Sequence, residues 1–344
     1  MVIIMKKVLS LILVSVLLCG LFAGCQNSSE SETSSSAEAS SSGSSYPLTI
    51  ENNGVTTTYT EAPERVVVVE YPAAEIMTAL GLEDKIVAVA PSMNSIDEVM
   101  EEYRDTIAEL PTFPENSLTN GTPNLEAVLS MEPDFVYGTS YSFDASACGS
   151  LEDYAANDIA TYASEGTYVE EPTMDNLYND IMNIGKIFDV QDRAEQLVSE
   201  IQEREQAVAD AVEGASEVPV FVFDYDMGQG VLLTTGGPTL EDYMIQLSKG
   251  TNIFGDLGTQ YANVSVEEII AKNPEWIIVT NYYTADDGQN KVDYMKSLPE
   301  LAEVPAVAND NFLILSGLAV WPSLQSIDAL EAIAQSLHPE CFNN

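Results

Sequence analysis

The sequence predicts an α/β protein of two similar lobes, each with a central parallel sheet, joined by one long α-helix, with a ligand cleft between the lobes. Three observations carry this. The stretch "NLEAVLSMEPDFVYG", Asn124 to Gly138, returns in physical character as "SVEEIIAKNPEWIIVT", Ser265 to Thr280, at an offset of 141 residues that sets Pro133 on Pro274. A helix-cap residue, a carboxylate, three branched apolar positions, a proline, an acid and an aromatic coincide, although only the glutamate (Glu126, Glu267) and the proline are identical. Next, "VVVVEY" (66–71) and "VFVFDY" (220–225) each end a buried apolar run on an acid and a tyrosine. Lastly, Ala194, Leu197, Val198, Ile201, Val208 and Val212 fall on one face between Gln191 and Glu213, a helix of roughly 35 Å at 1.5 Å per residue. Gly214 ends it, which makes it the single connector between the lobes.

In chain order, Lys6 and Lys7 precede an apolar run from Val8 to Phe22, shorter than the roughly 20 residues a membrane-spanning helix needs. The run ends in "LFAGC", which resembles the lipobox of bacterial lipoproteins. That resemblance makes residues 1–24 a signal peptide and Cys25 the acylated N-terminus, although Phe22 is a less common residue at its position. Cys19 follows two leucines and lacks the small residue that cleavage needs. Residues 25–45 are almost all Ser, Glu, Ala and Thr, too polar to bury anything, and read as a flexible tether. A lipid anchor with such a tether holds a folded body just outside a membrane.

The body starts with an N-terminal α/β lobe, residues 46–188. Val66 to Val69 is a continuous branched run, the mark of a strand buried on both faces. A helical pattern from Ala73 to Leu80 follows, Gly81 stops it, and Ile86 to Ala90 supplies the next strand, which makes a βαβ unit. Asn124 caps a short helix that Pro133 ends, and Phe135 to Tyr137 enter a strand. Residues 189–213 form the connecting helix, and α/β alternation resumes in a C-terminal lobe, residues 214–344.

The 344 residues suit about two domains. With 55 acids against 12 bases the net charge is −43, and such a surface repels phosphate backbones, which excludes nucleic acid as a partner. Outside the cell a disulfide is permitted between Cys148 and Cys341; two free thiols are the other reading.

The ordered set "ERVVVVEYPAAEIMTALGLEDKIVAVA", "NLEAVLSMEPDFVYG", the long helix, "TLEDYMIQLSKGTNIFGDL", "SVEEIIAKNPEWIIVT" and "LHPE" resembles the helical-backbone substrate-binding proteins of ABC importers for ferric siderophores, haem and cobalamin. It covers nearly the whole mature body. The resemblance implies two Rossmann-like lobes joined by one rigid helix, a ligand held between them, a monomer, and partnership with an ABC permease and its ATPase. It also implies that a glutamate near the start of one helix in each lobe docks into arginine pockets of the permease, which here means Glu126 and Glu267. A carboxylate in a helix's first turn also stabilises the helix dipole by roughly 0.3–1 kcal/mol. Ser265 and Glu268 form a capping-box pattern that explains Glu268 without transport.

Ligands in open α/β sheets sit beyond the carboxyl ends of strands, and that rule selects the candidate contacts. Glu70, Tyr71, Asp224, Tyr225 and Met227 follow the first strands of the two lobes. Tyr141 and Phe143 follow the strand at Tyr137, Tyr282 and Tyr283 follow "WIIVT", and Trp321 follows the strand Phe312 to Leu315. Tyr71, Tyr225 and Trp321 lead this set; the competing reading for each aromatic is core or loop packing. Aromatic walls with a few polar tips suit a bulky chelate or macrocycle. No resident cofactor or bare metal is expected, because His338 is the single histidine and its place in the terminal "LHPE" suits a structural role. The arginines, Arg65, Arg104, Arg193 and Arg204, do not follow strand ends, so a neutral or cationic ligand, a hydroxamate siderophore or a corrinoid, is favoured over an anionic catecholate.

An extracellular hydrolase would need a nucleophile with a base, a metal or a carboxylate pair, and one poorly placed histidine supplies no triad. A sensor or adhesin on the same body is the third class, distinguished by ligand uptake in a deletion strain. "EYPAAE" and "DYDMGQG" lack the G-x-G-x-x-G pattern, so nucleotide binding is not implied.

Overall fold

Four consecutive valines, Val66–Val69 (β1), are all buried, which places this strand inside a sheet covered on both faces. The computed structural model describes residues 45–92, 94–282 and 286–342. Cys25, the signal segment, the tether up to Ser44, and Tyr283 lie outside the described residues. No helix among those described is long and apolar enough to cross a membrane.

Helix α1 (Tyr71–Ala79) follows β1 after a single residue, two positions earlier than the hydrophobic pattern suggests, with Pro72 in its first turn. Proline suits that position because the amide there needs no intrahelical partner. Strand β2 (Ile86–Ala90), helix α2 (Leu125–Ser130), β3 (Phe135–Gly138) and β4 (Ala160–Ala163) follow in this lobe. Asn124 caps α2 by accepting the Ala127 N–H at 2.9 Å. The sheet order is β2-β1-β3-β4, all parallel.

Helix α3 (Met174–Ile187) turns into α4 (Gln191–Val212), whose 22 residues span about 33 Å. Beyond it come β5 (Val218–Phe223), β6 (Tyr225–Gly228), β7 (Val231–Thr235), α5 (Leu240–Leu247), β8 (Gly250–Asn252), β9 (Tyr261–Ser265) and α6 (Val266–Lys272). Strand β10 (Trp276–Asn281), α7 (Asp287–Ser297), β11 (Phe312–Ser316) and α8 (Gln325–Leu337) end the chain. The second parallel sheet runs β8-β5-β10-β11, the same order as the first. The α2–β3 and α6–β10 pairs are the two copies of the 141-residue repeat. A three-stranded antiparallel sheet, β6-β7-β9, is the C-terminal lobe's addition.

Period-two alternation sorts the core. Val66 and Val68 join Val220 and Val222 in one large cluster that also takes Ile184 of α3, Ile201 and Val208 of α4, and Leu330 of α8. Val67 and Val69 turn instead to a separate cluster with Val136, Cys148 and Tyr154. Phe221 and Phe223 build a third with Ile277 and Val279. The inner faces of the two sheets therefore share one hydrophobic core through the helices, and the described body packs as one unit.

Polar ties reinforce it. Glu205 of α4 accepts the hydroxyls of Tyr178 from α3 at 2.6 Å and of Tyr243 from α5 at 2.7 Å. Arg204 pairs with Asp328 and Glu331 of α8. Gln325 of α8 donates to Glu75 of α1 at 2.8 Å and to the Glu98 carbonyl at 2.9 Å. Gly185 lets α4 return against α3, because a Cβ there would collide with the Ala194 methyl. Cys148 and Cys341 are both free thiols. His338 is buried just past α8, with Nδ1 3.8 Å from Glu340.

Candidate ligand-binding cleft

The carboxyl ends of β1 and β5 set the two walls. Glu70 leaves β1 while its N–H still bonds the Ala90 carbonyl of β2 at 2.8 Å. Between that bond and the immediate start of α1 the backbone takes φ 87° and ψ 143°, glycine territory in which a side chain stores roughly 1–3 kcal/mol of strain. The Glu70 Oε1 atom accepts the Thr139 hydroxyl at 2.9 Å and the Ser142 hydroxyl at 3.2 Å, both from the loop after β3. Burial raises its carboxyl to about 7, and those two hydroxyls hold it from going higher.

Across the cleft, Asp224 is buried and accepts the Tyr282 hydroxyl at 2.8 Å. Burial raises its carboxyl, while the Tyr282 bond and the Lys291 charge oppose the shift. Lys291 of α7 is itself buried; its Nζ donates to the Thr280 carbonyl at 2.6 Å and pairs with Asp287 at 2.7 Å. It also lies 5.1 Å from the Tyr282 ring centre and 6.0 Å from that of Tyr225. Behind Asp224, burial keeps Glu241 of α5 well above the ordinary carboxylate range, and the Asp224 charge adds to the effect.

Between the walls is a cavity of about 610 Å³, within the range of small-molecule sites. Glu70, Tyr141, Asp224, Tyr225, Tyr282 and Trp321 all line it. Tyr141 is 56% exposed and Tyr225 47%, large aromatic surfaces left uncovered. Tyr141 meets Trp321 of the other lobe edge-on at 5.8 Å and 76°. None of the described lining residues is Arg, Lys or His. Among the described residues no group of three or more His, Cys, Asp or Glu could hold a metal ion.

The structure puts the remaining candidates elsewhere. Tyr71 opens α1 and packs half-buried against the shared core, since the early helix start turns it away from the cleft. Phe143 is buried edge-on against Tyr154, 5.8 Å between ring centres. Met227 is exposed on β6, outside the lining set. Thr139, Ser142, Ser92, Asn94, Thr167 and Leu233 line the cavity without having been selected. Thr139 and Ser142 sit in "GTSYS", the same strand-end loop as Tyr141, so the strand-end position is the signal in the sequence that points to them.

Glu126 and Glu267 are exposed in the first turns of α2 and α6. Neither makes a hydrogen bond or ion pair among the described residues. Glu268 closes the capping box by accepting the Ser265 N–H at 2.8 Å.

Residues 66–317 match the family described as periplasmic binding protein, a span that takes in both parallel sheets and the strand ends that set the two walls, with Trp321 just beyond it. The chain belongs to the periplasmic binding protein family. Within this family it is similar to the vitamin B12-binding protein of Yersinia pestis, 24% identical over 250 residues, which is 72% of this chain and 79% of that protein. Among solved structures it resembles a periplasmic binding protein from Veillonella parvula, TM-score 0.73 and 23% identity over 85% of this chain and 97% of that one. It also resembles an ABC-type Fe3+-hydroxamate transport system protein from Saccharomonospora viridis, TM-score 0.70 and 26% identity over 87% of this chain and all of that one. The family consists of extracytoplasmic binding proteins that serve transporters and are not enzymes.

Proposed function

We propose that this periplasmic binding protein captures a bulky metal chelate outside the membrane and hands it to an ABC permease driven by its ATPase. A ferric hydroxamate siderophore is the first candidate. The observation that carries this reading is the cavity of about 610 Å³ with uncovered aromatic walls and no basic residue among the described lining residues. Aromatic faces gain from covering a large ligand, and a lining without Arg, Lys or His among the described residues, with Lys291 behind it already paired to Asp287, gives a strongly anionic catecholate little to pair with. The similarity to an Fe3+-hydroxamate transport protein supports the choice.

The second reading, a corrinoid in the same cleft, is favoured by the vitamin B12-binding relative. Haem is a further alternative under the same fold. Glu126 and Glu267 would dock on the permease, one from each lobe. Acylation at Cys25 would keep the monomer at the outer face of the membrane.

Native mass spectrometry of the protein mixed with hydroxamate and catecholate ferric chelates, haem and cobalamin tests this. Retention of one intact chelate per chain is the expected result. A folded protein that retains none of them overturns the reading.

A further inference from the structure

The two walls of the cleft differ in how their carboxylates are satisfied. Asp224 already has the Tyr282 hydroxyl and feels the Lys291 charge. Glu70 has only two hydroxyls, both on Oε1. Its Oε2 makes no hydrogen bond among the described residues, and it is not among the enclosed, unpartnered atoms. One oxygen is therefore fixed, and the other is not fully enclosed and belongs to a residue that lines the cavity.

The backbone sharpens the point. At φ 87° glycine would avoid the strain, so a sequence answering to stability alone gains by placing glycine here. Glu70 is held there against strain and desolvation, and the Thr139 and Ser142 bonds satisfy one of its two oxygens. Because Thr139 and Ser142 pin Oε1, the side chain has lost most of its rotamer freedom before any ligand arrives, so little entropy opposes a contact at Oε2.

We infer that the chelate bound here carries a protonated amine, and that Glu70 selects it by accepting an N–H from that ammonium at Oε2. The inference rests on the reading of the cleft as a chelate receptor. An adjacent ammonium favours the ionised carboxylate, and the resulting bond is charge-assisted and partly desolvated, the condition in which such bonds are strong. Among the described lining residues none is a cation that would compete for Glu70; Lys291, behind the opposite wall, is paired with Asp287. Tyr141, close enough to sense the Glu70 charge, presents an aromatic face beside the ammonium and adds a cation–π contact.

A matched pair of ligands tests this. One is a linear ferric trihydroxamate with a free primary amine; the other is its N-acetylated form, which differs by a single charge and little in shape. Tryptophan emission of the full chain is titrated with each. The amine form should bind about 10- to 100-fold tighter, and Glu70→Gln should bring it down to the level of the acetylated form. Equal affinities in the wild type would overturn the inference with no variant needed, as would a preference that survives Glu70→Gln. Binding of a corrinoid or haem with neither hydroxamate also overturns it, while leaving the receptor reading in place. If no metal chelate of any class binds the folded protein, both fall.

Discussion

The ends of β1 and β5 carry the same local text, an apolar run, an acid and a tyrosine, and the structure uses them differently. After β1 a helix begins at once, so Tyr71 turns into the core and Glu70 is caught in a strained backbone. After β5 a hairpin intervenes, Tyr225 stays 47% exposed in the cleft, and Asp224 rests against Tyr282 in ordinary geometry. A strand-end rule finds the rim but not which residues face inward. That depends on whether the chain next winds into a helix or runs on as a strand, because a helix start turns successive side chains by about 100° and a strand by about 180°.

The largest expected effect sets the lobes side by side at their exposed glutamates. Glu126→Ala with Glu267→Ala should abolish uptake in cells while chelate affinity stays within about twofold, since neither residue lines the cavity. Each single variant shows how far one lobe docks without the other. Uptake at the wild-type rate in the double variant would remove the docking role.

Buried and uncovered aromatics should then separate. Phe143→Ala should lower unfolding stability by about 3–5 kcal/mol, the usual loss for a core phenylalanine. Trp321→Ala should instead weaken chelate binding by about 30-fold or more, as expected of a central aromatic contact. Chemical denaturation and ligand titration of both variants check the division; a Phe143 variant of normal stability would return that residue to the cleft.

Glu70→Gly tests the strain at the first wall. Release of roughly 1–3 kcal/mol, less the entropy that glycine adds to the unfolded chain, should leave the variant about 1 kcal/mol more stable and poor at binding. Asp224→Ala should be less stable than wild type by about 1–3 kcal/mol, because it removes the buried carboxylate that accepts the Tyr282 hydroxyl at 2.8 Å. If both variants lose stability equally, the two strand ends are alike after all.

The smallest effect is a slope. Glu70 titrates near 7 in the folded protein instead of 4.5, so the folded state binds more protons across that window. Stability is therefore fullest below about 4.5 and falls as pH rises through about 7. Glu75, raised to about 7 by its own burial, contributes in the same direction. Glu70→Gln should flatten the decline in part, read as melting temperature across this range; an unaltered slope would mean that the Glu70 carboxyl is not desolvated.

Much of the architecture was legible in the sequence. Pro133 and Pro274 end equivalent helices before equivalent strands, and the apolar face from Ala194 to Val212 is the long helix observed. These are local signals, set by helix and strand periodicity. Six of the candidate contacts line the cavity together. What the sequence hid was tertiary: the β6-β7-β9 sheet, the early start of α1 that removes Tyr71, and the Tyr154 contact that draws Phe143 inward. The left-handed backbone at Glu70 was likewise hidden, because nothing local in "VVVVEYP" demands it.

The central claim is that a metal chelate sits between these walls, and Trp321 can report it directly. The chain has two tryptophans, so Trp276→Phe leaves Trp321 as the single emitter, 5.8 Å from the Tyr141 ring on the opposite lobe. Titration of that variant with the chelate retained in native mass spectrometry should quench its emission saturably at one ligand per chain. Retention of the chelate with Trp321 emission unmoved would put the ligand somewhere other than this cleft and contradict the account.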